Sequence, residues 1–520
     1  MNVAVVIPPV EDFYFSQRRF ASLGAIKGAE ILTKAGFNTS IFDFTKGAKH
    51  KIEIPKPISY LNKYIMPEER GSCSFFTSYT HFGYDIDKCV SIIAAGNYSA
   101  VFVSLFAYCY ADSAITFAAS FKKIKPGIKI IACGAGVSVF PEYFKEYFDF
   151  AITGEAEIFF DWYTRTRADL GEIIASGISR DSRGPHNSRD FILPESRFRE
   201  CHTKAGDFTP SVGIAYTDKN SLCVSLMLSR GCFKKCRFCS NFITHGRGFR
   251  KSEPTALKET LASMKAVFEN HKNKKIFINI EDDNMLCDKS VFLKQLEIIK
   301  EFFIKTGAPA ERVFFSAENG LDYMLLDEDI CTTLINDYNF RQFNFTLTSS
   351  DKDVTESQKR EYDLGKLKKI LFLLEAKKVP AVTYFLAGLD SDSPEKTVDS
   401  LLFLAKTPGI SGISMFYAVP GLLGFNTNQF LDNIVPVLCR GSSAFPWNNT
   451  LSTKQLITAF RISRTINFLK KGDDLSGSND QALRKRILQQ KKLFTLTADN
   501  SIVEPKEVDM EMVEMFFASY

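Results

Sequence analysis

The chain has almost no net charge, no long uninterrupted apolar run and very little tryptophan. Its 65 Lys and Arg stand against 60 Asp and Glu, which leaves +5 over 520 residues. That balance excludes the broad cationic face that nucleic-acid binding needs, and the basic runs at 272–275 and 484–486 read as solvated surface. The most apolar window, AVFVSLFAYCYADSAITFAASF at 100–121, is interrupted by Asp112 and several Ser and Thr. It divides into a β-branched strand and an Ala-rich helix, so no membrane span is expected. The opening MNVAVVIPPVEDF lacks a basic n-region and a small-residue cleavage site, and reads as a strand rather than a signal peptide. The twelve cysteines are scattered except for one cluster, which predicts free thiols in a reducing cytosol and a cytoplasmic protein with a metal at the cluster. Only 2 Trp accompany 48 Phe, so the aromatic mass is Phe: packing first, apolar walls around a bulky ligand second.

With 45% apolar and 24% charged residues, the chain has the balance of a soluble protein of more than one domain. Residues 1–165 alternate strand patterns (NVAVVI, TSIFDF, AVFVSL, KIIACGAG, FDFAITGEAE) with helix-length amphipathic segments. This predicts a Rossmann-like, doubly wound parallel sheet, covered on both faces. Ligands of such sheets lie at the carboxyl ends of the strands. Those ends carry Ser104, Gly134, Gly136 and Gly154, and glycine there lets a ligand approach the backbone or simply makes a turn. Residues 166–220 are rich in Ser, Arg, Gly and Pro and read as a linker. From 221 to 424 six candidate strands alternate with helix-length segments, which predicts six βα units in a partial, TIM-like (β/α)6 barrel or a second open sheet. Residues 425–520 read as a helical C-terminal cap.

The cluster is RGCFKKCRFCS at 230–240, directly after the first strand of the second series. What it lacks is a fourth ligand in the same loop; His245 and Cys287 are the next candidates. Cysteine-only ligation favours zinc or an iron–sulfur cluster. Three thiolates on a four-iron cube leave one iron open for chemistry. Zinc completed by His245 or a distant cysteine, in a non-catalytic binding protein, stays open on spacing alone.

The segment CFKKCRFC resembles the CxxxCxxC signature of the radical SAM superfamily, position by position at Cys232, Cys236 and Cys239. The resemblance implies a [4Fe-4S] cluster on these cysteines, with S-adenosylmethionine chelated to the open iron and Phe238 against its adenine. IEDDNM resembles the end of the second barrel strand and implies that Asp282 and Asp283 face the amino group of S-adenosylmethionine. FSAENGLDYMLLDEDI and FNFTLTSSD resemble the third and fourth strands, which brings Glu318, Asn319, Thr348 and Ser350 toward the same ligand. The sixth strand departs from the usual PGT, since Leu422 replaces the Thr. For each single polar residue, turn formation or helix capping is the competing role. Residues 1–165 resemble the cobalamin-binding domain of one large class of this superfamily, implying bound cobalamin near Ser104, Gly134, Gly136 and Gly154. The DxHxxG histidine motif of many such domains is missing, which implies cobalamin without a protein ligand below the cobalt. His202 and His245 read as structural. The resemblance further implies reductive cleavage of S-adenosylmethionine, a radical at an unactivated carbon, and its methylation; the alternative is ring formation, ring contraction or rearrangement without methyl transfer. Implied partners are a small-molecule or lipid substrate and an electron donor such as flavodoxin or ferredoxin.

Overall fold

The computed structural model describes residues 1–19, 21–65, 73–157, 192–193, 208–425, 430, 434–470, 480–494 and 507–520. Of the stretch read as a linker, residues up to 207 other than 192–193 therefore lie outside the described residues, as does His202.

Five strands form the first sheet: β1 (Asn2–Ile7), β2 (Asn38–Asp43), β3 (Ala100–Ser104), β4 (Lys129–Cys133) and β5 (Phe150–Ile152). They are parallel and lie in the order β2-β1-β3-β4-β5, with the two-residue strand Ile192–Leu193 at the β5 edge. Every residue from Val3 to Ile7 is buried, as expected of a parallel strand with helices on both faces. In this order the chain leaves β1 toward one side of the sheet and β3 toward the other, so the crevice between the carboxyl ends of these neighbouring strands is the topological switch point where ligands bind. A small antiparallel sheet of Val10–Asp12, Lys49–Ile52 and Tyr79–Phe82 follows β1. Its strands of three and four residues are too short to show alternation, so this stretch reads as irregular in the sequence.

The second sheet has seven strands: β6 (Ser211–Thr217), β7 (Ser221–Met227), β8 (Lys275–Ile280), β9 (Val313–Ser316), β10 (Phe340–Thr348), β11 (Ala381–Ala387) and β12 (Ile410–Met415). They stand in chain order; β7 to β12 are parallel and joined by helices, and β6 pairs antiparallel with β7. This is the partial barrel, with β6 as an added edge strand inside the stretch read as linker. The β6–β7 turn is fixed by Asp218, whose carboxylate accepts from the N–H of Asn220 and of Ser221, both at 2.8 Å.

An incomplete barrel leaves a free edge on its last strand, which exposes unpaired backbone groups. The helix Thr453–Lys470 covers it with side chains. Asn467 Oδ1 accepts from Ser411 N and its Nδ2 donates to Ser411 O, both at 2.7 Å; Lys470 Nζ donates to Gly409 O at 2.8 Å. The helix Met510–Ser519 packs in turn on Thr453–Lys470 and on Pro394–Ala405.

Candidate active site

The three cysteines sit on a loop whose neck is a two-residue antiparallel ladder, Ser229 with Lys251 and Arg230 with Arg250. Gly231 has φ +80°, and a side chain there would collide with the Gly248 carbonyl across the neck. Its N–H donates to Asp283 Oδ2 at 2.7 Å, and Asp283 Oδ1 accepts from Asn241 Nδ2 at 2.8 Å. Asp283 thus fixes both ends of the cysteine segment from the turn after β8.

Cys232, Cys236, Cys239 and Phe238 share the wall of a cavity of about 170 Å³ with Asp283 and Thr346. Asn284 Nδ2 donates to Cys232 Sγ at 3.6 Å, and Arg360 Nη1 to Cys236 Sγ at 3.7 Å. Arg360 is balanced by buried Asp322 at 3.2 Å, which also pairs with Lys234 at 2.5 Å. A hydrogen bond from Cys287, with smaller contributions from Lys234 N–H, Asn284 and Arg360, brings the Cys232 thiol down to about 6 despite its burial. The same contact pushes Cys287 up, and burial pushes Cys239 up to about 11. Among the described residues no three His, Cys, Asp or Glu side chains are gathered around a single metal-ion position.

Of the acidic and hydroxyl residues singled out in the sequence, only Asp283 lines this cavity. Asp282 is fully buried behind it, accepting from Leu228 N at 2.7 Å and from Ser229 Oγ. Complete burial pushes its carboxyl up to about 7, against the pull of those two donors. Glu318 is tied to Arg19 of the first sheet's leading loop at 2.5 Å, and its neighbours Asn319 and Gly320 reach the cavity instead. Thr348 has φ +70° and is fully buried; its Oγ1 finds no hydrogen-bond partner among the described residues. The register slip between Thr346 and Thr348 against β11 gives Thr346 the cavity-lining place. Ser350 turns to the helix Pro394–Ala405, with its Oγ 3.1 Å from Ser400 Oγ. Sequence reasoning did not single out Asn284, Asp322, Thr346 or Arg360; Asn284 beside the acidic pair was the nearest signal.

A second cavity, of about 250 Å³, lies at the carboxyl end of the first sheet under the helix Leu23–Lys34. Ser104, Gly134 and Gly154 line it. Gly134 has φ +100°, and a Cβ there would meet the Leu105 carbonyl at 2.5 Å. Gly24 and Gly28, one helical turn apart, also line it, and a Cβ on either would meet nothing within 4 Å. The helix leaves an open apolar slot along the sheet there.

The third cavity, about 850 Å³, lies between the two sheets and is lined by Gly136. It shares Phe106, Ala135, Thr244 and His245 with the slot, and Asn241 with the cysteine cavity. The three adjoin in a row. Its walls are aromatic, including Tyr14, Phe76, Tyr384, Tyr417 and Phe460. Buried Arg440 lines one end, bound to Tyr79 OH at 2.9 Å and Glu11 O at 2.7 Å and paired with Asp12 at 3.4 Å.

Where the cavities meet, Glu155 is buried among two guanidinium groups and an imidazole. It pairs with His245 Nδ1 at 2.9 Å, with Arg250 Nη1 at 2.6 Å and with Arg230 Nη1 at 3.4 Å. Burial alone would raise its carboxyl, but the Arg250 and His245 hydrogen bonds and the charge of Arg230 outweigh this and hold it well below the usual carboxylate range. His245, read as structural from the sequence, stands in the wall of two cavities.

No family model and no curated protein matches the chain. Solved structures do. The radical S-adenosylmethionine methyltransferase TsrM from Kitasatospora setae, solved with tryptophan substrate and the analogue aza-SAM, superposes with a TM-score of 0.54 at 13% identity over 81% of this chain and 74% of that one. The same enzyme with cobalamin and a [4Fe-4S] cluster bound gives 0.55 at 13% identity over 84% and 76%. The cobalamin-dependent S-adenosylmethionine radical enzyme OxsB, with aqua-cobalamin and S-adenosylmethionine bound, gives 0.51 at 11% identity over 95% and 67%. At such identities the likeness is one of fold.

Proposed function

We propose that this chain, which has the fold of the cobalamin-dependent radical S-adenosylmethionine enzymes, methylates an unactivated carbon of a small molecule or lipid. The observation that carries the reading is the row of three adjoining cavities, with three thiols on one loop at one end and a glycine-lined slot at the other. Cys232, Cys236 and Cys239 would hold a [4Fe-4S] cluster. The donor set fits it: three thiols on one cavity wall, two of them already accepting from Asn284 and Arg360, which favours the thiolate form. Gly24, Gly28, Gly134 and Gly154 would hold cobalamin, and the fit is the slot that any side chain on the helix glycines would fill. When bound, the cluster supplies one-electron cleavage of S-adenosylmethionine and cobalamin supplies a transferable methyl group.

The chain's own part is positioning and exclusion of water. Asp283 and Gly231 set the loop, and Phe238, Asp283 and Thr346 offer S-adenosylmethionine a ring face and two acceptors on one wall. The aromatic walls of the middle cavity exclude water from the substrate's reacting carbon. Asp282, Glu318, Thr348 and Ser350 take supporting roles behind or beside this wall. No helix among the described residues is long and apolar enough to cross a membrane. A reducing partner such as flavodoxin or ferredoxin is part of the proposal.

Methyl transfer without substrate is not expected, so the test uses S-adenosylmethionine itself. Anaerobically reconstituted protein with hydroxocobalamin and dithionite should consume it at a rate that depends on all three cysteines. Candidate substrates are then scored by product mass. A gain of one methyl group supports the proposal; conversion without it leaves the fold's radical chemistry and removes the methyltransferase assignment.

A further inference from the structure

The loop that carries the three cysteines belongs to the second sheet, yet one residue of the first sheet holds it at three points. Glu155 follows β5 in the segment Thr153–Gly154–Glu155. Its carboxylate accepts from Arg250 and from His245 inside the loop, and is ion-paired with Arg230, which faces Arg250 across the neck. Arg250 also donates to the His245 carbonyl at 3.3 Å, and Arg230 is shared with Glu157 at 3.0 Å. Side-chain exposures are 3% for Glu155, 6% for Arg230 and 13% for Arg250, so the charges are largely shut off from water. Glu157 Oε1 is buried with no hydrogen-bond partner among the described residues.

Glu155, Arg230 and His245 also line the slot at the first sheet. A ligand that fills the slot borders the group that holds the neck of the cysteine loop. Arg230 stands two residues before Cys232, and His245 and Arg250 bracket the far side of the loop. We propose that Glu155 is a positioning residue that couples occupancy of the first-sheet slot to the geometry of the cysteine loop, so that each site binds its ligand more tightly when the other is filled. The inference rests on the reading of the slot as a cobalamin site and of the loop as an iron–sulfur site. It requires no contact between the two ligands: both bias one buried carboxylate with three partners, and thermodynamic linkage makes the effect reciprocal.

The experiment is a binding cycle. Hydroxocobalamin is titrated anaerobically into iron-free and iron-loaded full-length protein, and the ratio of the two dissociation constants is the readout. We expect iron loading to tighten hydroxocobalamin about tenfold, within the usual range of coupling between sites. In Glu155→Gln the ratio should fall to about one, because a neutral amide cannot pair with two guanidinium groups and accept from the imidazole as well. Arg250→Lys touches neither cavity and keeps the charge but loses the two-pronged contact; it should give an intermediate ratio, and it serves if the Gln variant does not fold. A residue with only a structural role would lower both affinities and leave the ratio unchanged, so an unchanged ratio in a folded variant overturns the proposal. A wild-type ratio of one, with both ligands bound, overturns the coupling while the functional reading stands. Protein that takes up iron and no hydroxocobalamin overturns both.

Discussion

Filling the slot at Gly28 should strengthen the empty protein and weaken cobalamin binding together. Gly28 lies in the interior of the helix Leu23–Lys34, where glycine costs about 1 kcal/mol relative to alanine. A Cβ there meets no atom within 4 Å and points into a cavity of about 250 Å³. In Gly28→Leu the helix gains that propensity, and the new side chain buries apolar surface worth about 1.5 kcal/mol or more. The apoprotein should therefore gain roughly 2 kcal/mol, or several degrees in Tm. The same atoms occupy the space we assign to cobalamin, so affinity for hydroxocobalamin should fall at least about 100-fold, which corresponds to roughly 2.7 kcal/mol. Differential scanning calorimetry of the apoprotein and an anaerobic absorbance titration read the two effects separately. Iron uptake by the cysteine loop serves as the control. A variant that is more stable yet binds hydroxocobalamin like wild type would show that the slot is not used. A destabilised variant would show that the side chain does not enter it.

Three further outcomes follow from single contacts. Asp282 holds a proton in the folded state up to about pH 7 and gives it up near 3.8 when unfolded, so the folded state binds the extra proton between those values. Its contribution to stability should thus decline as pH rises from about 4 to 7 and level off above, by a few kcal/mol at most. Asp282→Asn should flatten denaturant-derived stability over that range, and an unchanged slope would contradict the assignment. Asn467→Ala removes both hydrogen bonds to the edge of β12 and should cost about 1–3 kcal/mol of stability, read as a lower denaturation midpoint; a loss below about 0.5 kcal/mol would mean water replaces them. Cys287→Ala should leave iron content unchanged although its thiol bonds to Cys232; loss of iron would make it a fourth ligand.

The alternation of strands and helices was legible because parallel strands buried on both faces read as continuous apolar runs. NVAVVI, KIFINI and AVTYFLAG all mark strands of the two sheets. The short sheet at Val10–Asp12 was not legible, since three residues carry no period. The edge strand Ser211–Thr217 was hidden because its antiparallel pairing depends on a tertiary neighbour rather than on its own pattern. In the site, the three cysteines and Phe238 share one cavity because a single short loop carries them. The later polar residues scattered, and for a physical reason: a register slip of one residue reverses which side chain faces the cavity, and the slip near Thr346 and Thr348 cannot be read from the sequence. Asp282 and Asp283 are adjacent, so on leaving the strand one turned into the core and the other toward the loop. The cluster on Glu155 was out of reach because Glu155 follows the first sheet, whereas Arg230, His245 and Arg250 belong to the cysteine loop and its neck.

The proposed function stands or falls with three thiolates holding a four-iron cluster that leaves one iron open to S-adenosylmethionine. Mössbauer spectroscopy of the anaerobically reconstituted, 57Fe-labelled protein tests it most directly. About four irons per chain are expected, in a [4Fe-4S] spectrum in which one iron subsite shifts when S-adenosylmethionine is added. Iron binding should be lost on replacing any one of Cys232, Cys236 or Cys239 by Ala. Four equivalent sites that ignore S-adenosylmethionine would rule out an open iron, and a colourless protein carrying one zinc would rule out the cluster.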